Sequence, residues 1–365
     1  MTKKELLRSI AFILVVCLLF IVLCEVFELS DVTYIPTRFK TFSNLNDDTV
    51  DAVWIGTSGV DRYWMAAKAY EEYGMTVYPL ASDAMPTWLF TNVIDEIYAK
   101  QNPELIIIDA RAFGQANTKP GTVDTRARRV LDAMNFFSIN RFKAAFKAMK
   151  VLNRIDPERS RLDLSFPISF IKYHTMWADE DFSIEDNVSF NAQSEYLGFF
   201  MNKSLSIKAS KHKAVVYDSA SYKDMDPIAE ESLYDLLDYA KSKDINLLFV
   251  CTPEMMNKGE MGKMNTLFRI LDEKGISYIN GCETDSKGNF THFPDLKPSK
   301  DFYNENHVNF YGAEKFTAAI GAYLDEHYDF EDHRSDEAVK EHWDGVYGKI
   351  QAEIKAREEA AAAKK

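Results

Sequence analysis

Five short apolar runs constrain this chain more than any other feature. They are DAVWIG (51–56), TVYPLA (76–81), ELIIIDA (104–110), INLLFVC (245–251) and GISYIN (275–280). Each is rich in β-branched or aromatic residues, and helical patterns such as TWLFTNVIDEIYAK and ESLYDLLDYAKSK lie among them. A strand buried on both faces reads as a near-continuous apolar run, and strands that alternate with helices pair in parallel. The expected fold is α/β, a three-layer α/β/α arrangement around a five-stranded parallel sheet, spanning residues 50–330.

The alternation stops between the third and fourth runs. Residues 111–235 carry Met, Phe, Tyr, Lys and Arg at mainly helical spacing and contain no clear strand–helix–strand unit. They read as an insertion at the C-terminal end of the third strand. That edge of an open α/β sheet is where ligands bind, so the insertion is expected to wall or cover a site.

The N-terminus, MTKKELLRSIAFILVVCLLFIVLCEVFEL, places Lys3, Lys4 and Arg8 before a run from Ile10 to Cys24 without a polar side chain. Extended past Glu25 to Leu29, the run reaches the roughly 20 residues that cross a bilayer. The following LCEVFELSD offers no small-x-small cleavage site, so residues 1–30 read as an uncleaved signal anchor. Basic residues ahead of the span keep the N-terminus cytoplasmic. The expected location is therefore the cell membrane, single-pass, with an extracytoplasmic domain. Residues 31–49 are polar and read as a stalk. Residues 331–365 read as a charged helical tail, solvated or partly frayed.

Composition narrows the function. A net charge of −13 argues against a nucleic-acid partner, which requires a basic face. An apolar fraction of 46%, with 25 Phe and 18 Tyr, supplies a sizeable core. The four cysteines show no C-x-x-C spacing, and H-E-x-x-H, G-x-G-x-x-G and P-loop patterns are absent, so no metal or cofactor is expected. Cys251 and Cys282, near two strand ends, are either a disulfide or two buried thiols.

Two loops carry the chemistry. VWIGTSGVDRYW puts Ser58 just after the first strand, at the mouth of a helix whose N–H groups can face an oxyanion. Ser58 with Asp61 also fits the S-x-x-D pattern of a helix cap, a purely structural role. DFYNENHVNFYGAEKF places His307 in a loop after the fifth strand and before a helix. Loops after strands one and five share one sheet edge, so Ser58 and His307 can meet as nucleophile and base. A loop histidine satisfied by a backbone carbonyl is the structural alternative. Tyr63 and Trp64 read as core.

IGTS after the first strand and N-x-x-H-V-N-x-x-G-A-E-K-F before the last helix resemble the first and fifth sequence blocks of SGNH/GDSL hydrolases. The likeness covers roughly 50–110 and 240–325. It is nearest to the membrane-anchored cell-envelope branch, similar to D-alanyl-lipoteichoic acid and alginate O-acetylation proteins. The resemblance implies a flavodoxin-like sheet with Ser58 as nucleophile and His307 as general base. It implies an esterase or O-acyltransferase acting on a cell-surface polysaccharide or teichoic-acid-like polymer. A transferase would need a multi-span membrane partner to deliver acyl groups. The oxyanion hole would use the N–H of Ser58 and a backbone N–H near Ala81–Ser82, where the family places a glycine and this chain has PLASDAMP. Asn117 would have to fold back to serve as the family's third-block asparagine. Arg111 is a candidate for binding an acyl or anionic oxygen, with an ion pair to Asp109 or another acid as the plainer role. His174 is a candidate wall of the substrate groove.

The departure lies at position 304. The family has Asp three residues before its histidine, and this chain has Asn304. An asparagine oxygen can orient the imidazole but carries no charge, and the comparable Asp→Asn change in serine proteases costs about 10⁴ in kcat. Asp301 or Asp295 would substitute only if the loop bent suitably. A catalytically weak or inactive accessory protein of the same fold is the alternative function.

Overall fold

The computed structural model describes residues 2–27, 34–179, 194–201, 207–210, 212–213 and 215–363. Helices are α1 Lys3–Val26, α2 Tyr34–Asn44, α3 Ser58–Asp61, α4 Ala66–Tyr73, α5 Phe90–Tyr98, α6 Pro120–Ala133 and α7 Ile139–Ile155. They continue with α8 Ser169–Tyr173, α9 Pro227–Lys243, α10 Lys258–Lys274, α11 Phe310–His327, α12 Glu337–Trp343 and α13 Val346–Ala362. Strands are β1 Ala52–Gly56, β2 Val77–Ala81, β3 Leu105–Asp109, β4 Leu247–Cys251 and β5 Ser277–Asn280, with a small pair, β6 Phe302–Asn304 and β7 His307–Val308.

The five apolar runs form one parallel sheet in the order β2-β1-β3-β4-β5. Every residue of β1, β2 and β3 is buried, which explains why those runs do not alternate. Flanking helices fall into two groups, with α5 touching α7 and α9, and α4 touching α11 and α13. Trp54 of β1 packs on Trp64 and on Phe316 of α11, while α5 packs on β1. The chain reverses direction across the sheet between β1 and β3, which makes their carboxyl ends the crevice of the fold.

The helical insertion after β3 contains α6, α7 and α8; residues 180–193, 202–206, 211 and 214 of it lie outside the described residues. Helix α1 has 24 residues, about 36 Å of helix, and is long and apolar enough to cross a membrane. Its start is fixed by a reciprocal cap between Thr2 and Glu5. The expected extension of the span to Leu29 runs into residues 28–33, outside the described residues.

Two terminal readings are corrected. The segment read as a stalk contains α2, and its Ile35, Phe39 and Phe42 are buried in the main core. Their i, i+4, i+7 spacing makes one apolar stripe among polar neighbours, which a linear reading for polarity passes over. The tail read as solvated instead packs Trp343, Val346, Tyr347, Ile350 and Ile354 against the core. Cys251 and Cys282 are buried free thiols, their sulfurs 3.6 Å apart.

Candidate active site

Strand β1 ends in a turn that only a glycine fits. Gly56 has φ +159°, and a Cβ there would lie 2.1 Å from the Cβ of Asp109 on neighbouring β3. That close approach lets Asp109, fully buried, accept hydrogen bonds from the Thr57 N–H and hydroxyl and from the Arg111 N–H. One carboxylate thus ties the turn after β1 to the turn after β3. Thr57, not Ser58, caps α3, its hydroxyl accepting from the Gly59 N–H. Asp61 is committed elsewhere, held by Arg38 at 2.6 Å and Arg62 at 3.1 Å. Ser58 is left at the first helical position, with its hydroxyl free for other work.

The hydroxyl is 2.8 Å from His307 Nε2. His307 owes its position to a tight hairpin: β6 and β7 pair Asn304 directly with His307, with only Glu305 and Asn306 between them. Asn304 Oδ1 lies 3.1 Å from His307 Nδ1 and also accepts the Asn306 N–H at 2.9 Å. The imidazole therefore has Nδ1–H toward Asn304 and a bare Nε2 toward Ser58. The buried Tyr63 hydroxyl donates to the carbonyls of Pro253 and Asn306 and fastens the hairpin to the end of β4. The helix after the hairpin is capped by Asn309, whose side chain accepts from the Gly312 N–H. The helix entry thus has its own cap and makes no demand on His307.

These groups open onto a cavity of about 290 Å³, lined by Ser58, Ala84, Arg111, Gln115, Arg126, Glu254, Met264 and His307 among others. Arg126 comes from α6, so the insertion does wall the site. The electrostatics disfavour a protonated imidazole. Burial, then Arg111, then Arg62, hold the proton affinity of His307 down to about 2, with Asp83 opposing them. Arg111 pairs with Glu254 at 2.5 Å and donates to Thr252 Oγ1 and the Asn306 carbonyl. Burial raises the Glu254 carboxyl to about 7 although Arg111 pulls it down.

Other expected site residues are placed differently. Ala81 is buried within β2, and the Ser82 N–H is spent on the Gly56 carbonyl at 3.1 Å, so neither lines the cavity. The residue that does is Ala84, at φ +53° in the turn closed by Met85 N–H to the Ser82 carbonyl. Asp301 does not reach the imidazole: its carboxylate is bound by Lys315 and by the Lys297 N–H. Asp295 is exposed and outside the cavity. Asn117 is held by Asp226 rather than folding back. His174 is exposed at the end of α8, its Nδ1 3.1 Å from the Ile171 carbonyl, away from the cavity lining. Its helix packs on α1 instead, because Phe170 and Ser169 take contacts there. The Asp109 carboxylate meets only the backbone of Arg111; Glu254 takes its guanidinium.

Glu254, Arg62, Asp83 and Arg126 were not singled out in the sequence. Glu254 stands three residues past β4 in CTPEMM, on the same sheet edge as Ser58, and that position was the available signal. Among the described residues, no group of three His, Cys, Asp or Glu side chains could hold a metal ion. The chain matches no protein-family model, and it matches no curated protein.

Proposed function

We propose that this protein is a membrane-anchored serine esterase or O-acyltransferase of the SGNH hydrolase type. The observation that carries the reading is the relay Ser58 Oγ, His307 Nε2, His307 Nδ1, Asn304 Oδ1, with successive contacts of 2.8 and 3.1 Å at the edge of a cavity. In this reaction Ser58 attacks an acyl carbonyl while His307 Nε2 takes its proton. The Ser58 N–H, at the first helical position, has no intrahelical acceptor and is the donor this reading assigns to the developing oxyanion. His307 then protonates the leaving alkoxide, and water or an acceptor hydroxyl releases the acyl group from Ser58.

The apolar α1 supports a single-pass anchor and a substrate at a membrane surface, and Lys3, Lys4 and Arg8 ahead of the span favour the domain outside. The choice of a cell-surface glycan or teichoic-acid-like polymer, and of a multi-span partner for acyl delivery, rests on the sequence resemblance alone.

A second reading is favoured by one observation. Asn304 gives the imidazolium no charge, and Arg111 and Arg62 oppose it. Each unit of lowered proton affinity adds ~1.4 kcal/mol to protonating the base. A weak enzyme, or an accessory protein that binds the polymer through the same cavity, is the outcome if that cost dominates.

The test is p-nitrophenyl acetate turnover by the full chain in detergent. Turnover is expected in the parent and its loss in Ser58→Ala. Asn304→Asp is expected to raise kcat by about ten-fold or more, within the 10⁴ spanned by the comparable serine-protease change. Turnover that is indifferent to Ser58 would remove the nucleophile from the account. Absence of turnover in both the parent and Asn304→Asp would favour the binding role.

A further inference from the structure

Several large apolar side chains outside the cavity face solvent, and some lie near where α1 meets the domain. Phe170 of α8 packs against Phe20 and Phe27 at 6.3 and 5.5 Å between ring centroids. On another side of α1, Ile21 shares a hollow of about 320 Å³ with Phe136 and Phe137. Phe20 and Ile21 lie in the last two turns of α1, roughly 8 Å of helix from its end. If α1 crosses a bilayer over Lys3–Cys24, they lie about 5 Å inside the C-terminal end of the span, just within the headgroup boundary.

Phe137 lines that hollow, and Trp177 follows Phe170 by seven residues in the chain. Phe137 and Trp177 are each 69% exposed. From Ile139, helix α7 carries the pattern onward: Ile139, Phe142 and Phe146 follow helical spacing on its outer face, where a soluble helix would be polar. Lys143 and Lys150 share that exposed face, in a chain whose net charge is −13. Apolar and aromatic residues interleaved with lysines on one face are the composition of a helix that lies in the interface of an anionic bilayer. Aromatic rings are enriched at that depth.

We infer that the outer face of α7, together with Trp177, docks on the lipid surface through which α1 passes, so that the domain lies against the bilayer. The inference rests on α1 spanning a membrane and is independent of the esterase reading. Lipid is favoured over a second copy of the chain by the continuity of the patch with α1 and by its lysines.

Trp177 provides the probe. The chain has five Trp, and the other four are at most 3% exposed. The full chain is reconstituted into vesicles of phosphatidylcholine and phosphatidylglycerol, with and without lipid brominated near the headgroup end of its acyl chains. Bromine is expected to remove most of the emission that Trp177→Phe removes. A second probe, Phe146→Trp in the Trp177→Phe background, is expected to be quenched as well. Alkaline carbonate extraction of the same vesicles reports α1 separately. Failure of either probe to be quenched in carbonate-resistant protein overturns the docking and leaves the span intact. Release by carbonate overturns the span and the docking that depends on it.

Discussion

His307 and Glu254 are the two side chains whose surroundings set the behaviour of the site, and they push stability in opposite directions. A histidine in the unfolded chain titrates near 6.5, whereas folded His307 is held to about 2. Below 6.5 the unfolded chain gains a proton that the folded one refuses. Stability is therefore lost as pH falls through that window, by up to ~1.4 kcal/mol per unit. Glu254 is raised from 4.5 to about 7, so between those values the folded state holds the extra proton. Its contribution is lost as pH rises through that window. The two slopes nearly cancel from 4.5 to 6.5. His307→Gln is expected to unmask Glu254, so that thermal unfolding in detergent shows the variant gaining stability, relative to the parent, from pH 7 to pH 5. Parallel curves for parent and variant would contradict this. The meeting of Ser58 and His307 was legible because both stand in loops on one sheet edge. Their electrostatic setting was not, because the charges of Arg62, Asp83 and Arg111 act on the imidazole from separate loops that only the folded chain brings together.

Among the elements, the turn after β1 and the turn after β2 make opposite predictions for glycine. At Gly56 the chain has no room for a Cβ against Asp109. Gly56→Ala is expected to cost about 3 kcal/mol or more and to displace the Thr57–Asp109 bonds that hold the Ser58 turn. Ala84 already sits at φ +53°, where an alanine is strained. Ala84→Gly is expected to stabilise by about 1 kcal/mol. Thermal unfolding of both variants checks the pair, and a destabilising Ala84→Gly would contradict the strain. The five strands were readable because burial on both faces leaves an unbroken apolar signature of ordinary strand length. The β6–β7 hairpin was not, since Phe302–Asn304 and His307–Val308 are too short to show any period. Yet that hairpin, by pairing Asn304 with His307, fixes the geometry on which the proposal depends.

Across the whole molecule, the segment that follows α1 and the C-terminal tail are part of the domain rather than appendages. Arg38 of α2 is 1% exposed and donates to the Gly198 and Ala81 carbonyls and to Asp61 of α3. The helix that follows the apolar α1 in the chain is thereby bonded to the element that carries Ser58. Arg38→Met is expected to leave the Asp61 carboxylate under-compensated in the interior and to destabilise the protein by about 3–5 kcal/mol. Urea unfolding in detergent measures it, and a cost below about 1 kcal/mol would show that Arg62 alone satisfies Asp61. These ends escaped the sequence reading because α2, α12 and α13 bury narrow stripes under largely polar composition. The central claim, that His307 activates Ser58, is tested most directly by reacting the full chain with a fluorophosphonate and locating the adduct by mass spectrometry. The account predicts one adduct, on Ser58, formed faster in Asn304→Asp and absent in Ser58→Ala and His307→Gln. An unmodified Ser58 in both the parent and Asn304→Asp, or labelling of Ser58 that persists in His307→Gln, would contradict it.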